Sequence, residues 1–174
     1  MSNIGRRKIQ IPKNVTLTFD KKLNSLKIQG PLDNFNYKIN EEIELIIEES
    51  YLKVKSPNKK IEGTQNAIIT NLIIGVTKGF KVTLKLVGIG YRVTIENNTL
   101  LLKLGYSHDI KFTIPTDIQI TSPKPNLIIL FSTRKDYLNQ VITKIKTLRK
   151  LDLYTGKGIF FENEEIKLKE GKKK

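Results

Sequence analysis

Short segments of this sequence hold the residue types that bind anions or do acid–base work. The sharpest runs from Arg149 and Lys150 through Leu151-Asp152-Leu153 to Tyr154-Thr155-Gly156-Lys157-Gly158. It departs from the nucleotide-binding P-loop, because Leu151 stands at the first glycine position and Gly158 replaces the required Ser or Thr. A flexible glycine loop carrying a lysine still suits a phosphate, because its backbone N–H groups approach an anion closely. Tyr154 adds a stacking face. In Val87-Gly88-Ile89-Gly90-Tyr91-Arg92 the glycines lie between apolar strands, so the segment is a tight bend and not a dinucleotide fingerprint opening a helix. There Gly88 and Gly90 would bring backbone close to RNA, Tyr91 would stack and Arg92 would bind phosphate. Leu104-Gly105-Tyr106-Ser107-His108-Asp109 holds the one His of the chain. Ser107, His108 and Asp109 are consecutive and cannot converge as a nucleophilic triad does. They read as an exposed hairpin turn, with Ser107 and His108 as candidate polar contacts.

Composition closes off other chemistries. The chain has 174 residues, with 31 Lys+Arg against 17 Asp+Glu, a formal charge of +14, and no Cys. Zero Cys excludes disulfides, thiolate metal sites and a cysteine nucleophile. One His excludes the usual multi-His zinc site. No metal, cofactor or catalytic residue is assigned. The acidic pairs Glu41-Glu42, Glu48-Glu49 and Glu164-Glu165 are sequence neighbours, poorly placed for acid–base work in strands, and read as solvated surface. The positive charge points to a polyanion, with nucleic acid first. Residues 1–87 carry 15 basic and 8 acidic side chains, a net of +7, and residues 88–174 carry 16 and 9, again +7. The charge therefore belongs to the whole chain. Its basic ends, Arg6-Arg7-Lys8 with Lys13 and Lys172-Lys173-Lys174, are read as further phosphate contacts.

The elements that must position these segments repeat. Leu23 to Gly30 and Asn98 to Gly105 each read as a strand ending in glycine. Phe35, Tyr37 and Ile39 alternate with polar residues, and Ile110, Phe112 and Ile114 do so about 75 positions later. Ile43, Leu45 and Ile47 match Ile118 and Ile120, while Leu52 and Val54 match Leu127 and Ile129. Period-2 alternation is the mark of half-buried antiparallel strands. Each half then turns helical, with apolar stripes at Ile68, Ile69, Leu72, Ile73 and Val76, and at Leu138, Val141, Ile142, Ile145 and Leu148. Thr133 and Asp136 have capping-box spacing ahead of the second helix. The expected fold is α+β, with two similar modules, each a small antiparallel sheet with one packed helix. Their boundaries are 1–81 and 82–174, the second carrying a basic RNA-binding tail, and Gly75 to Lys81 is the expected joint.

These residues together resemble the large-subunit ribosomal protein L-six family in its bacterial and organellar form. The resemblance runs from Ile4-Gly5 and Ile9-Gln10-Ile11-Pro12 to the Lys-rich end. It includes Asn71-Leu72-Ile73-Ile74-Gly75-Val76-Thr77-Lys78-Gly79-Phe80, Leu86-Val87-Gly88-Ile89-Gly90-Tyr91-Arg92, Leu104-Gly105-Tyr106-Ser107-His108 and Tyr154-Thr155-Gly156-Lys157-Gly158. It implies a duplicated α+β fold and binding of large-subunit ribosomal RNA, mainly through the second module, near the sarcin–ricin region and the translational GTPase site. Neighbouring ribosomal proteins are the other implied partners, and no membrane or small-molecule substrate is expected. Tyr154, Gly156, Lys157 and Gly158 fall in the family signature. Thr155 stands where a lysine is usual, and Leu151 and Leu153 stand where prolines are common. These departures imply one phosphate contact fewer and a less rigid loop, with Arg149 and Lys150 as compensating charge.

The alternatives are a small phosphate-substrate enzyme using Lys157 and His108, and a module for anionic membrane surfaces. The first lacks a converging acid, nucleophile and metal set, and the second lacks a basic amphipathic helix with aromatic anchors. Met1 to Arg7 has no apolar stretch of a secretory signal and is short for a transit peptide, so the expected compartment is the one of synthesis. The chain has 25 Ile, 26 Lys and 14 Asn against one Ala and five Arg, the bias of an A/T-rich genome. The expected location is a ribosome in a plastid first, a mitochondrion second, or the cytoplasm of an AT-rich bacterium.

Overall fold

Alternating apolar and polar residues make strands through most of the chain, and each strand run is followed by one amphipathic helix. The computed structural model describes residues 7–48 and 50–171, so Arg6, Glu49, Lys172, Lys173 and Lys174 lie outside the described residues. It divides into two compact units, Met1–Phe80 with Thr133–Lys135, and Lys81–Ser132 with Asp136–Lys174.

The first unit contains β1 (Ile9–Gln10), β2 (Thr16–Asp20), β3 (Ser25–Gln29), β4 (Asn34–Lys38), β5 (Glu44–Ile47), β6 (Tyr51–Lys55) and α1 (Lys59–Thr77). Its strands form two antiparallel sheets, ordered β2-β3-β4 and β1-β6-β5. On β3, Leu26 and Ile28 are buried while Lys27 and Gln29 are exposed, the alternation a one-sided sheet requires. Asn58 caps α1, its Oδ1 accepting the Lys60 N–H at 3.1 Å. The helix contains many β-branched residues and depends on docking. Ile69, Ile73 and Val76 enter a core with Leu26, Ile28, Leu52 and Val54, and Ile68 and Leu72 are half-buried. Full burial of such a side chain stabilises by roughly 1.5–3 kcal/mol. The expected joint begins too early, because α1 runs through Gly75 to Thr77. Lys78-Gly79 ends it, with Gly79 at φ +68° donating its N–H to Gly75 O at 3.1 Å. Thr133 groups with this unit, and its hydroxyl donates to Asp33 Oδ2 at 2.7 Å.

The same order recurs in the second unit as β7 (Phe80–Val87), β8 (Arg92–Glu96), β9 (Thr99–Lys103), β10 (Ile110–Thr113), β11 (Gln119–Lys124), β12 (Leu127–Ser132) and α2 (Lys135–Leu148). The sheet β10-β9-β8 matches β4-β3-β2, and β11-β12-β7 matches β5-β6-β1. Asn97 and Asn98, both at positive φ, make the two-residue turn between β8 and β9. Leu138, Val141, Ile142 and Ile145 of α2 are buried, as the stripe predicts. In each unit the strands thus form two small sheets beside one helix.

One element has no counterpart among the described residues of the first unit. The final strand, β13 (Gly158–Phe161), pairs antiparallel with β7 and extends the second sheet to β11-β12-β7-β13. Ile159, opposite Leu86, is fully buried. Bonding this strand to β7 fixes the far end of the loop that follows α2.

Candidate nucleic-acid interface

The loop from Arg149 to Lys157 is held at its base by backbone contact. Arg149 O accepts the Ile159 N–H at 3.2 Å. Gly158 sits at φ +144°, where an added Cβ would lie 2.7 Å from Leu151 Cα and 2.8 Å from Lys150 O. Only glycine permits this crossing of two backbones. Sequence reasoning expects a flexible loop here, and the structure shows a closed one. Lys157 O accepts the Asp152 N–H, and Asp152 O accepts the Gly156 N–H, both at 2.8 Å. The Asp152 carboxylate accepts the Tyr154 N–H at 3.0 Å and the Thr155 hydroxyl at 2.5 Å. The Thr155 hydroxyl, then the Tyr154 N–H, hold the Asp152 carboxyl below its usual pKa, with Lys157 adding to the effect. Thr155 therefore carries no charge to a partner but ties the loop to itself. Lys150, Tyr154 and Lys157 face solvent, Tyr154 with 63% of its surface exposed.

Turns of the same unit supply an aromatic–arginine cluster. The Arg149 guanidinium lies over the Tyr106 ring, 4.9 Å from its centroid, within cation–π range. Tyr106 is oriented by its hydroxyl, which donates to Leu148 O at 3.0 Å. The side chains of Tyr106 first and Tyr91 second favour the charged form and push the Arg149 pKa further up. The Tyr91 ring fills the space beside two glycines: a Cβ on Gly88 would lie 2.6 Å from it, and one on Gly105 3.3 Å. The bend at Gly88 is thus packed against an aromatic ring, and Ile89 at its tip is 88% exposed.

The structure consequently joins Gly88, Tyr91, Tyr106 and Arg149 by direct packing. It places Lys150, Tyr154, Gly156, Lys157 and Gly158 in one closed loop. Gly90, Arg92, Ser107 and His108 are exposed on the adjoining turns and strand ends, and Lys172 and Lys173 lie outside the described residues. Tyr106, Asp152 and Thr155 lie outside the contacts that the sequence suggests, yet the structure places them within the cluster and the loop. The available signals were a Gly-Tyr step at 105–106 and an Asp followed closely by backbone and hydroxyl donors, the spacing of an Asx turn.

Glu164 is exposed, as the reading of the acidic pairs as surface expects, but it is also engaged in specific contacts. Its Oε2 accepts from Lys146 Nζ at 3.0 Å and from the Phe161 N–H at 3.1 Å. Lys146 also sits 4.0 Å from the Phe161 ring centroid. The Phe161 N–H, then Lys146, hold the Glu164 pKa below the ordinary value. A depressed folded-state pKa contributes stability above the unfolded value of about 4.3, lost as pH falls through the folded value. Because the carboxylate is 38% exposed, the contribution is small. Glu164→Gln is expected to flatten the acid-side loss of stability in urea titrations between about pH 6 and pH 3. An unchanged acid-side slope would remove Glu164 from the contacts that hold β13.

One surface of the first unit is poorly suited to a polyanion. A concavity of about 430 Å³ in the first unit is lined by Glu41, Glu42, Glu44 and Glu62, with Lys55. Among the described residues no group of three or more His, Cys, Asp or Glu could hold a metal ion. No described helix is long and apolar enough to cross a membrane.

Residues 87–161 match the family model described as Ribosomal protein L6. The chain is 42% identical over 177 residues to large ribosomal subunit protein uL6 of Persephonella marina, covering 99% of this chain and 98% of that protein. It is 39% identical to the uL6 protein of Phytoplasma mali, over 99% and 98% of the two chains. It is 37% identical to protein uL6m of Reclinomonas americana, over the full length of both.

Proposed function

The chain belongs to the ribosomal protein L6 family of large-subunit structural proteins, and from that premise we propose that it binds large-subunit ribosomal RNA through its second unit. The observation that carries this reading is the convergence of the Tyr91–Tyr106–Arg149 cluster and the closed Lys157 loop in one unit. Arg149, Lys150, Lys157 and Arg92 neutralise phosphates, while Tyr154 and Tyr106 offer faces to unpaired bases. Gly90 and Gly156 allow the backbone to approach closely, Gly88 and Gly158 give room to the Tyr91 ring and to the closed loop, and Ser107 and His108 add polar contacts. Lys172 and Lys173 extend the charge. The site on the RNA is the sarcin–ricin and GTPase-associated region, and neighbouring ribosomal proteins complete the surroundings. The A/T-rich bias favours an organellar ribosome, a plastid first and a mitochondrion second, with the cytoplasm of an AT-rich bacterium as the remaining setting.

The test is sedimentation of native extract with and without ribonuclease, joined to titration of purified protein with large-subunit RNA. Co-migration with the large subunit that ribonuclease abolishes is expected. If about six phosphates are neutralised, log affinity should fall with log salt at a slope of roughly −4 to −5. Affinity independent of salt would overturn the proposed electrostatic contact.

A further inference from the structure

Between Arg149 and Phe161 the sequence has basic residues at 149, 150 and 157 and one acid, Asp152. A carboxylate among phosphate-binding side chains opposes binding by its charge, so its presence needs a compensating role. The geometry supplies one. Asp152 is engaged from several sides: its N–H donates to Lys157 O, its carbonyl accepts the Gly156 N–H, and its carboxylate accepts both the Tyr154 N–H and the Thr155 hydroxyl. These bonds join the start of the loop to each following residue that presents a contact. The outer side of the loop is held as well, by the Lys169 N–H donating to Leu153 O at 3.0 Å and by Leu168 packing beside Gly156.

We propose that Asp152 and Thr155 are positioning residues, a carboxylate–hydroxyl lock that holds Tyr154 and Lys157 in their binding geometry without touching RNA themselves. The inference rests on the RNA-binding reading of this loop. Without the lock, residues 153–157 would sample many conformations and lose that freedom on binding, which lowers affinity without removing a contact.

Thr155→Val keeps the shape of the side chain and removes the hydroxyl donor, whereas Thr155→Ser keeps the donor. Full-length variants are titrated with in-vitro-transcribed large-subunit RNA over a range of salt, beside Lys157→Glu as a control. Thr155→Val is expected to weaken binding about 5- to 10-fold, within the net worth of one ordinary exposed hydrogen bond. Its salt slope should match the parent, since no phosphate contact is lost. Exchange of the Tyr154 and Gly156 amides should quicken while the melting temperature stays unchanged, and Thr155→Ser should restore affinity. Parental affinity in Thr155→Val together with weakened binding in Lys157→Glu would overturn the lock and leave the RNA reading standing. Parental affinity in both would overturn the RNA role of the loop and the lock with it. A lowered melting temperature in Thr155→Val, or no rescue by Thr155→Ser, would reduce the pair to ordinary structural contacts and overturn the proposal.

Discussion

Gly158→Ala is expected to lose about 2–4 kcal/mol of stability in chemical denaturation and to abolish tight RNA binding. The backbone at Gly158 lies at φ +144°, a region essentially reserved for glycine, and forcing another residue there costs roughly 1–3 kcal/mol. The new methyl would also meet Leu151 Cα at 2.7 Å and Lys150 O at 2.8 Å. Both obstacles are backbone atoms and cannot swing aside as a side chain tip would. The strain is relieved only by moving the 149–151 segment or by detaching the start of β13 from β7. Either movement disturbs Arg149 and Lys157 together. Gly90→Ala is the matched control: its φ is +75°, but the space around it is open. That variant should lose only about 1–2 kcal/mol, the left-handed penalty alone. Equal stability of Gly158→Ala and the parent would show that the close crossing at Leu151 is not maintained in solution.

Charge reversal at Arg149 is expected to have the largest effect on RNA affinity at constant fold. Loss of one phosphate contact at about 0.1 M salt lowers affinity by about 8-fold through counterion release alone. Reversal adds repulsion, bringing the expected loss for Arg149→Glu to roughly 50- to 100-fold. The guanidinium is already placed, stacked 4.9 Å from the Tyr106 ring centroid with that ring tethered to Leu148 O. Arg149→Lys should recover only part of the loss, because an ammonium cannot present the planar fork or stack on the ring. The salt slope should become shallower by about one unit in Arg149→Lys only if its phosphate contact is lost. Circular dichroism and melting of Arg149→Glu should match the parent, since Arg149's contribution to the β13 attachment is its backbone carbonyl. Unaltered affinity would move the interface away from the Tyr106–Arg149 cluster.

Local pattern carries a long way in this chain. The alternation at Leu26 and Ile28, repeated at Leu100 and Leu102, is enough to place β3 and β9 and the buried face of each, because strand side chains alternate whatever the partner strand. The helical stripe through Leu138, Val141, Ile142 and Ile145 is equally self-contained. The duplication, the α+β class and the segments that carry the proposed contacts all follow from such short-range features. The +14 charge, even across both halves, also stands without any folding information.

Long-range pairing and backbone proximity are different in kind. Ile159 to Phe161 looks like any short apolar run, and nothing local says that it pairs with β7 and so closes the loop after α2. Gly88 and Tyr91 are close in sequence, but Gly105 joins them only because the turn after β9 arrives at the same ring. Glu164 and Glu165 are adjacent acids of one type, yet only Glu164 finds Lys146 and the Phe161 N–H. Asp152 and Thr155 become a lock because the loop is bent to a radius at which one carboxylate reaches two donors. Side-chain type and spacing thus settle which faces are buried and where charge resides. Contacts between distant segments depend on the path of the backbone between them, and that path is set by sheet pairing and steric exclusion across the folded unit.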